Sequence, residues 1–430
     1  MKTNPADRKL FLAVRGTHDI LPSEWPWWDR IYSMARKLAD FYHFNRIDTP
    51  LFEDSELLAQ ALGQETDVVQ KEMYTVHQRS GETLALRPDG TPGLTRAYLE
   101  HRMSRTNSFQ KLWYTGPMFR SGRVDEAHWR QFHQIGFDVL GGASDPLYDA
   151  QVILIAVRLL EEAKLKNLVV RINCTGCRIC RPIYLRQLQN YYKDHLKDLC
   201  EDCGRRFKTN TLRLLDCRKE GCLEMREGAP NFFDKLCSPC SVHFSGVLEY
   251  LDELAISYAL DNFFLSDFDH YNRTVFDISV EGAGSEQSNL ASGGRYDYLF
   301  EKLGGKATPA VGVALGIERI IAALRAQGAV LPEKAEKRVF IIHVGELAKK
   351  KLLGIIETLR AAGIPVGEAL SRESLGAQLK LAEREHAAVA LMLGQKEIFE
   401  ESVIIRDLQR RSQETVPLNR MVEEIKKRLK

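Results

Sequence analysis

Residues 129–142 read WRQFHQIGFDVLGG, and residues 111–120 ahead of them read KLWYTGPMFR. Both runs are strand-like, and the polar stretch SGRVDEAH (121–128) joins them as a loop. Side chains alternate across a strand, so QFHQIGFDV places Phe132, Gln134, Gly136 and Asp138 on one face. An amide and a carboxylate in that row predict the floor of a polar site rather than a purely apolar core.

Outward from this pair, residues 24–43 carry helical apolar spacing and lead into an extended segment set by Pro50. Residues 73–78 and 82–87 predict a hairpin turning at Arg79, Ser80 and Gly81. Thr91 and Pro92 read as an N-cap and first-turn proline of a helix running to about Arg102. A helix is expected over 145–164, a strand over 168–173 and a helix over 246–256. In LSDFDHYNRTVFDISV (265–280) an acidic, aromatic approach leads into an alternating strand. ASGGRYDYLFEKLGG reads as a turn, and TPAVGVALGIERIIAAL as a glycine-rich strand with a helix opening near Gly316.

Residues 326–337 read as a linker. Beyond it, expected elements at 338–344, 346–362, 374–386, 388–393 and 402–406 alternate as in a small α/β domain. The domain reading is therefore a front body over 1–325, a cysteine-rich insertion within it at 174–245, and a back domain over 338–430.

A chain of 430 residues fits two or three domains. With 44% hydrophobic and 27% charged residues it belongs with globular proteins, and no apolar run approaches a bilayer span. No secretory leader is evident, so a cytoplasmic location without membrane attachment is expected. The net charge of +2 gives no bulk basic field, although a local patch for nucleic acid needs none.

All nine cysteines lie between Cys174 and Cys240. Cys177 and Cys180, Cys200 and Cys203, and Cys237 and Cys240 have CxxC spacing, while Cys217 and Cys222 form a looser pair. Eight thiolates suit two tetrahedral zinc ions, with Cys174 spare; buried thiols without metal are the alternative. The zinc would be structural, and the pairing of the four pairs is open.

Arg120 closes a strand, and Arg319 opens a helix after Gly312 and Gly316. Two arginines converging on one cleft suit a triphosphate, and the glycines allow close backbone approach. Phe132 and Trp129 are candidates to stack on a base, or simply core aromatics. Asp89, Gln134, Asp138 and Tyr271 are candidates to surround a small ligand bearing an amine.

Taken together, these motifs resemble a known family. TPLFED (49–54), MFR with WRQFHQIGFDV, and GVALGIERI (312–320) are similar to the three ordered motifs of class II aminoacyl-tRNA synthetases. RGTHDILP, KEMYTV, LALRPDGT, YNRTVF and GGRYDYL resemble histidyl-tRNA synthetases in particular. LGAQLKLAEREHAAVALMLG (375–394) looks like that family's anticodon-binding domain.

The resemblance implies an α+β catalytic domain on a six-stranded antiparallel sheet with helices, plus a C-terminal α/β anticodon-binding domain. It implies a homodimer that activates L-histidine with ATP and Mg2+ and transfers it to the 3′ end of tRNA(His). On this likeness Arg120 meets the α-phosphate, Phe132 stacks on adenine, Gly316 lies at the nucleotide and Arg319 holds the γ-phosphate. Asp89 and Thr91 take the substrate amine, Asp138 and Tyr271 read the imidazole, and Gln134 orients it.

The chain departs from the family at identifiable places. Where the family usually has Arg-Gly-Leu-Asp-Tyr-Tyr, this chain has Ser266-Asp267-Phe268-Asp269-His270-Tyr271, so an arginine is replaced by Ser266. Gly122 stands where the family has an acid that reads the adenine amine, and His128 where an arginine is usual. Asp89 and Asp138 stand where many members have Glu. A second reading therefore accompanies the ligase: a catalytically impaired paralogue that binds histidine or tRNA as a regulator.

Overall fold

The computed structural model describes residues 11–125, 128–217, 219–266, 268–281, 289–331, 338–369 and 374–429. Glu126 and Ala127 of the polar loop, Asp267, and 332–337 of the expected linker lie outside these. The chain divides after Leu331 into two compact units.

The first unit rests on strands β1 (Asn45–Arg46), β2 (Phe52–Asp54), β3 (Thr75–His77), β4 (Thr83–Leu86), β5 (Phe109–Phe119) and β6 (Gln131–Gly141). It continues with β7 (Leu168–Cys174), β8 (Tyr258–Leu260), β9 (Asn272–Val280), β10 (Asn289–Arg295) and β11 (Ala310–Gly316). Eight of these form one sheet in the order β1-β5-β6-β11-β10-β9-β7-β8. The six inner strands pair antiparallel. The short β1 and β8 add parallel at the two edges. β2, β4 and β3 make a separate small sheet, whose hairpin turns through Gly81 at φ +93°.

One face of the large sheet is covered by helices Trp25–Phe41, Pro146–Glu162, Ser238–Glu253 and Ile317–Ala326, which share its main apolar core. The central helix, Pro146–Glu162, starts where the Asp145 carboxylate accepts from the Leu147 N–H. It is apolar almost all round, as its place between sheet and outer helices demands. Its buried polar residue is Asp149, which pairs with the buried Arg295 of β10 and with His243.

The run around Gly293 and Gly294 is strand β10, not the turn its glycines suggest. β-Carbons there would collide with the Gly312 carbonyl and lie 2.9 Å from the Tyr271 ring, so glycine is what lets the neighbours close up. Strand β9 likewise exceeds the half-buried pattern, since residues 274–279 are all buried between β10 and β7.

The cysteine-rich insertion folds as helices Cys180–Lys193, Glu201–Thr209 and Glu220–Glu227 with a 3-10 turn at Thr211–Leu214. Tyr184, Leu188, Tyr192, Leu212, Leu214, Leu215 and Phe232 form its own small core.

The second unit carries β12 (Val339–His343), β13 (Val366–Glu368), β14 (Val389–Leu393), β15 (Ser402–Asp407) and β16 (Gln413–Pro417) in the order β13-β12-β14-β15-β16. Helices Glu346–Ala361, Leu375–Arg384, Gln395–Phe399 and Met421–Leu429 accompany the sheet. β13, β16 and the last two helices escape the sequence reading, being short or charged at most positions. No described helix is long and apolar enough to cross a membrane.

Candidate active site

Register explains why the floor is built as it is. Gln134 of β6 lies opposite Gly316 of β11 and Gly116 of β5, and Asp138 lies opposite Gly312. A β-carbon at Gly312 would overlap the Asp138 carboxylate, so the glycine makes room for the acid. Gly90 and Gly136 similarly leave space for the Tyr114 ring.

On this floor Gln134 Nε2 donates to Asp89 Oδ2 at 3.1 Å, leaving its buried Oε1 without a partner among the described residues. The Thr91 N–H donates to Asp89 Oδ1 at 3.0 Å, so Asp89 ties the floor to the start of helix Thr91–Glu100. The residue at the N-cap position is Gly90, not Thr91, and the capping oxygen comes from Asp89. Asp138 is buried and accepts from the Tyr296 hydroxyl at 2.6 Å, while its Oδ2 has no partner among the described residues. Burial pushes its carboxyl up to about 7, with the Tyr296 hydrogen bond opposing the rise and Asp89 adding to it. Buried, partnerless acceptors carry a desolvation cost, and a ligand donor is the natural relief.

A cavity of about 1030 Å3 opens above the floor. It is lined by Asp89, Arg120, Phe132, Gln134, Tyr271, Gly316 and Arg319, together with Trp129. The structure thus gathers residues up to about 230 positions apart in the chain. Thr91 and Asp138 do not line it; both are buried behind its wall.

The Arg120 guanidinium lies over the rings of Phe132 at 5.4 Å and Phe268 at 5.3 Å, and its Nε donates to the Pro88 carbonyl at 3.1 Å. It forms no ion pair among the described residues. Arg319 Nη1 donates to the Asn289 carbonyl at 3.1 Å. Next to it, Glu318 accepts from the His133 backbone and ring, joining the helix Ile317–Ala326 to β6.

The three departures occupy distinct surroundings. At Gly122, an added β-carbon would lie 2.7 Å from Glu72 Oε1, so a carboxylate from residues 68–72 stands beside this position. His128 Nδ1 lies 2.8 Å from Asp125 Oδ1. Ser266 lines the cavity, as do Arg205, Arg206 and Arg213 of the insertion, and it shares a side recess with Arg213.

Sequence reading misses several members of this constellation. Tyr114 looks like an ordinary strand residue, Tyr296 and Glu72 lie inside the motifs GGRYDYL and KEMYTV without a role assigned from sequence, and Phe268 gives no hint that it stacks on Arg120. His270 is buried, its Nδ1 3.2 Å from the Ala61 carbonyl and its Nε2 without a partner among the described residues. Burial depresses its imidazole to about 4, opposed by Asp89.

The thiols resolve into two groups. Cys177, Cys180, Cys237 and Cys240 form one, and Cys200, Cys203, Cys217 and Cys222 the other, with all sulfurs in each within 4.8 Å of one another. Individual Sγ···Sγ separations are 3.6 Å for Cys177 and Cys237, 3.8 Å for Cys180 and Cys240, and 3.9 Å for Cys200 and Cys217. Tetrahedral zinc with Zn–S near 2.3 Å requires sulfurs about 3.8 Å apart, so both sets fit the ion. The first and last CxxC pairs meet at the two chain ends of the insertion, and the inner four cysteines meet within it. Cys174 stands outside both sets, its thiol pushed up to about 12 by burial.

Comparison with known proteins follows these outlines. A family described as "Histidyl-tRNA synthetase" matches residues 16–201 and 232–320, and one described as "Anticodon binding domain" matches 338–428. A histidine–tRNA ligase of Desulforamulus reducens is 40% identical over 96% of this chain and 98% of its own length. One of Dehalococcoides mccartyi is 40% identical over 98% of this chain and all of its own. The apo crystal structure of S. aureus histidyl-tRNA synthetase superposes with a TM-score of 0.80 at 29% identity, covering 96% of this chain and 99% of that one.

Proposed function

Since this chain belongs to the histidyl-tRNA synthetase family, we propose that it is a histidine–tRNA ligase, forming histidyl-adenylate from L-histidine and ATP and passing it to tRNA(His). The observation that carries this is the single cavity shared by the polar floor of Asp89 and Gln134 and the cationic wall of Arg120 and Arg319. An amino acid on the floor and a triphosphate along the wall would meet between them.

In this reading the histidine amine lies at Asp89 near Thr91, and its imidazole, oriented by Gln134, enters the wall beside Tyr271 to donate to Asp138 behind it. Phe132 stacks on adenine, Glu72 accepts from the adenine amine beside Gly122, and Gly316 lets the backbone approach the nucleotide. Arg120 holds the α-phosphate and Arg319 the γ-phosphate. A histidine carboxylate oxygen attacks the α-phosphorus in line; the new O–P bond forms as the bond to the pyrophosphate oxygen breaks. The 3′-terminal ribose hydroxyl of the tRNA then attacks the activated carbonyl, and AMP leaves with the electron pair. Positioning and charge neutralisation carry such transfers. Mg2+ bound to the phosphates would supply part of that neutralisation.

The 338–430 segment would read the anticodon. Zinc would be held by the two four-cysteine sets, filled by protein ligands and hence structural. A cytoplasmic homodimer completes the proposal; exposed Phe41, Phe52 and Val76 offer apolar surface for a second copy.

Histidine-dependent ATP–pyrophosphate exchange by the purified protein tests the reading. Exchange no greater than a control without histidine would refute it, and histidine or tRNA binding without exchange would establish the regulator instead.

A further inference from the structure

The segment 202–231 falls between the two stretches of the synthetase family match. It holds Cys203, Cys217 and Cys222 of the second thiol set, and it places arginines on the wall of the cavity that contains Ser266. Most of those arginines have fixed tasks. Arg205 pairs with Asp202 on the surface, and Arg206 reaches Asp67 at 3.6 Å.

Arg213 differs in place. It lines the main cavity, and it also lines a side recess with Ser266, Asp269 and Tyr271. The recess has a volume of about 20 Å3, room for a water but not a substrate, so any ligand of Arg213 must sit in the main cavity. Arg181 lines only the recess and donates to the Tyr271 carbonyl at 3.0 Å, which anchors it outside the cleft.

The guanidinium of Arg213 is held rather than trailing. Its side chain is 15% exposed and pairs with Asp216 at 3.0 Å. Its backbone carbonyl accepts from Arg206 at 3.4 Å, and its neighbours Leu212 and Leu214 are buried in the core of the insertion. Thr211, on the same 3-10 turn, accepts from Gln189 of helix Cys180–Lys193. Cys217, four residues on, belongs to the second thiol set, so the arginine is stapled close to a rigid anchor. A planar, preorganised fork of N–H donors beside a serine suits a phosphate or carboxylate oxygen.

We propose that Arg213, carried by the cysteine-stapled insertion rather than by the sheet, supplies the guanidinium at the Ser266 side of the cleft. It binds the anionic junction between nucleotide and amino acid, the α-phosphate and the substrate carboxylate. This deepens the ligase reading and rests on it. The second thiol set is then part of the active-site geometry, because it fixes the segment that presents the cation.

The test uses the full-length protein with Arg213→Ala, Arg213→Lys and the double variant Arg213→Ala/Ser266→Arg. Arg213→Ala is expected to lower exchange kcat by about 10²–10³-fold, the cost of losing one preorganised donor to developing charge. Zinc content and Tm should stay as in the wild type, and Lys should recover only part of the rate. An arginine at 266 should bring the double variant back to within about tenfold of wild type, which repair of a merely structural defect would not do. Exchange within threefold of wild type for Arg213→Ala overturns the proposal, as does a double variant no faster than the single one. If the wild type binds Mg·ATP by calorimetry but shows no exchange, the ligase reading falls alone, and the same variants are compared by their Kd for Mg·ATP. Equal Kd values there, or no nucleotide binding by the wild type, overturn the assignment of Arg213 as well.

Discussion

Replacing Asp138 by Asn probes the floor of the site directly. The carboxyl rises from an ordinary 3.8 to about 7 because burial opposes its charge more strongly than Tyr296 favours it. At 1.36 kcal/mol per pH unit, that rise corresponds to about 4 kcal/mol against ionisation in the folded state. The folded chain then holds a proton between about pH 4 and 7 that the unfolded chain has lost. Stability from this group therefore falls as pH rises through that window and levels off above about 7. Asn keeps an oxygen for the Tyr296 hydroxyl but has nothing to ionise. The unfolding free energy of Asp138→Asn minus that of wild type should climb by about 4 kcal/mol from pH 4 to pH 8, as followed by urea denaturation. Histidine binding should move the other way. An imidazole N–H donated to the carboxylate makes ionisation favourable, so wild-type affinity gains across pH 5–7 and the variant does not share that gain. At pH 8 the variant should bind histidine about 10- to 100-fold more weakly by calorimetry, the worth of a hydrogen bond to a charged acceptor. Parallel stability curves for the two proteins from pH 4 to 8 would refute the reasoning.

Two further outcomes follow from buried groups. Asp149→Asn removes one of the two carboxylates that pair with the buried Arg295 and leaves it Asp297; breaking a buried pair costs up to about 3–5 kcal/mol, read by denaturant unfolding, and a loss under 1 kcal/mol would contradict it. Burial alone would raise the Asp149 carboxyl, but Arg295 and His243 outweigh it and hold it at about 2, so its contribution is full at neutral pH and fades as pH falls from about 4 toward 2. Elemental analysis should find two zinc ions per chain, with Cys222→Ser losing one, Cys240→Ser losing the other and Cys174→Ser keeping both. Loss of the same ion by the first two variants would contradict the pairing seen here.

Local sequence carried a large share of the fold because the long elements are strongly periodic. Strands β5 and β6 match the two strand-like runs, and helix Pro146–Glu162 falls within the helix expected over 145–164. Strand β10 was not legible in this way, since its glycines answer to the Gly312 carbonyl and Tyr271 ring across the sheet, not to their chain neighbours. The candidate residues on motif strands were legible as types, an acid here and an arginine there, but no spacing said that Arg120 and Arg319 share a cavity. Glu72 lay inside the motif KEMYTV, but nothing in the linear order connected it to position 122, and nothing connected Arg213 to the cavity that Ser266 lines.

Alternation, caps, CxxC spacing and ordered motifs belong to the sequence itself, since they depend on residues a few positions apart. Which cysteines share a site, what stands beside Gly122, and which residues line the cavity with Ser266 were decided by the tertiary structure. Those contacts join segments tens to hundreds of residues apart, and chain closure over such distances is governed by the packing of the whole unit rather than by any local preference.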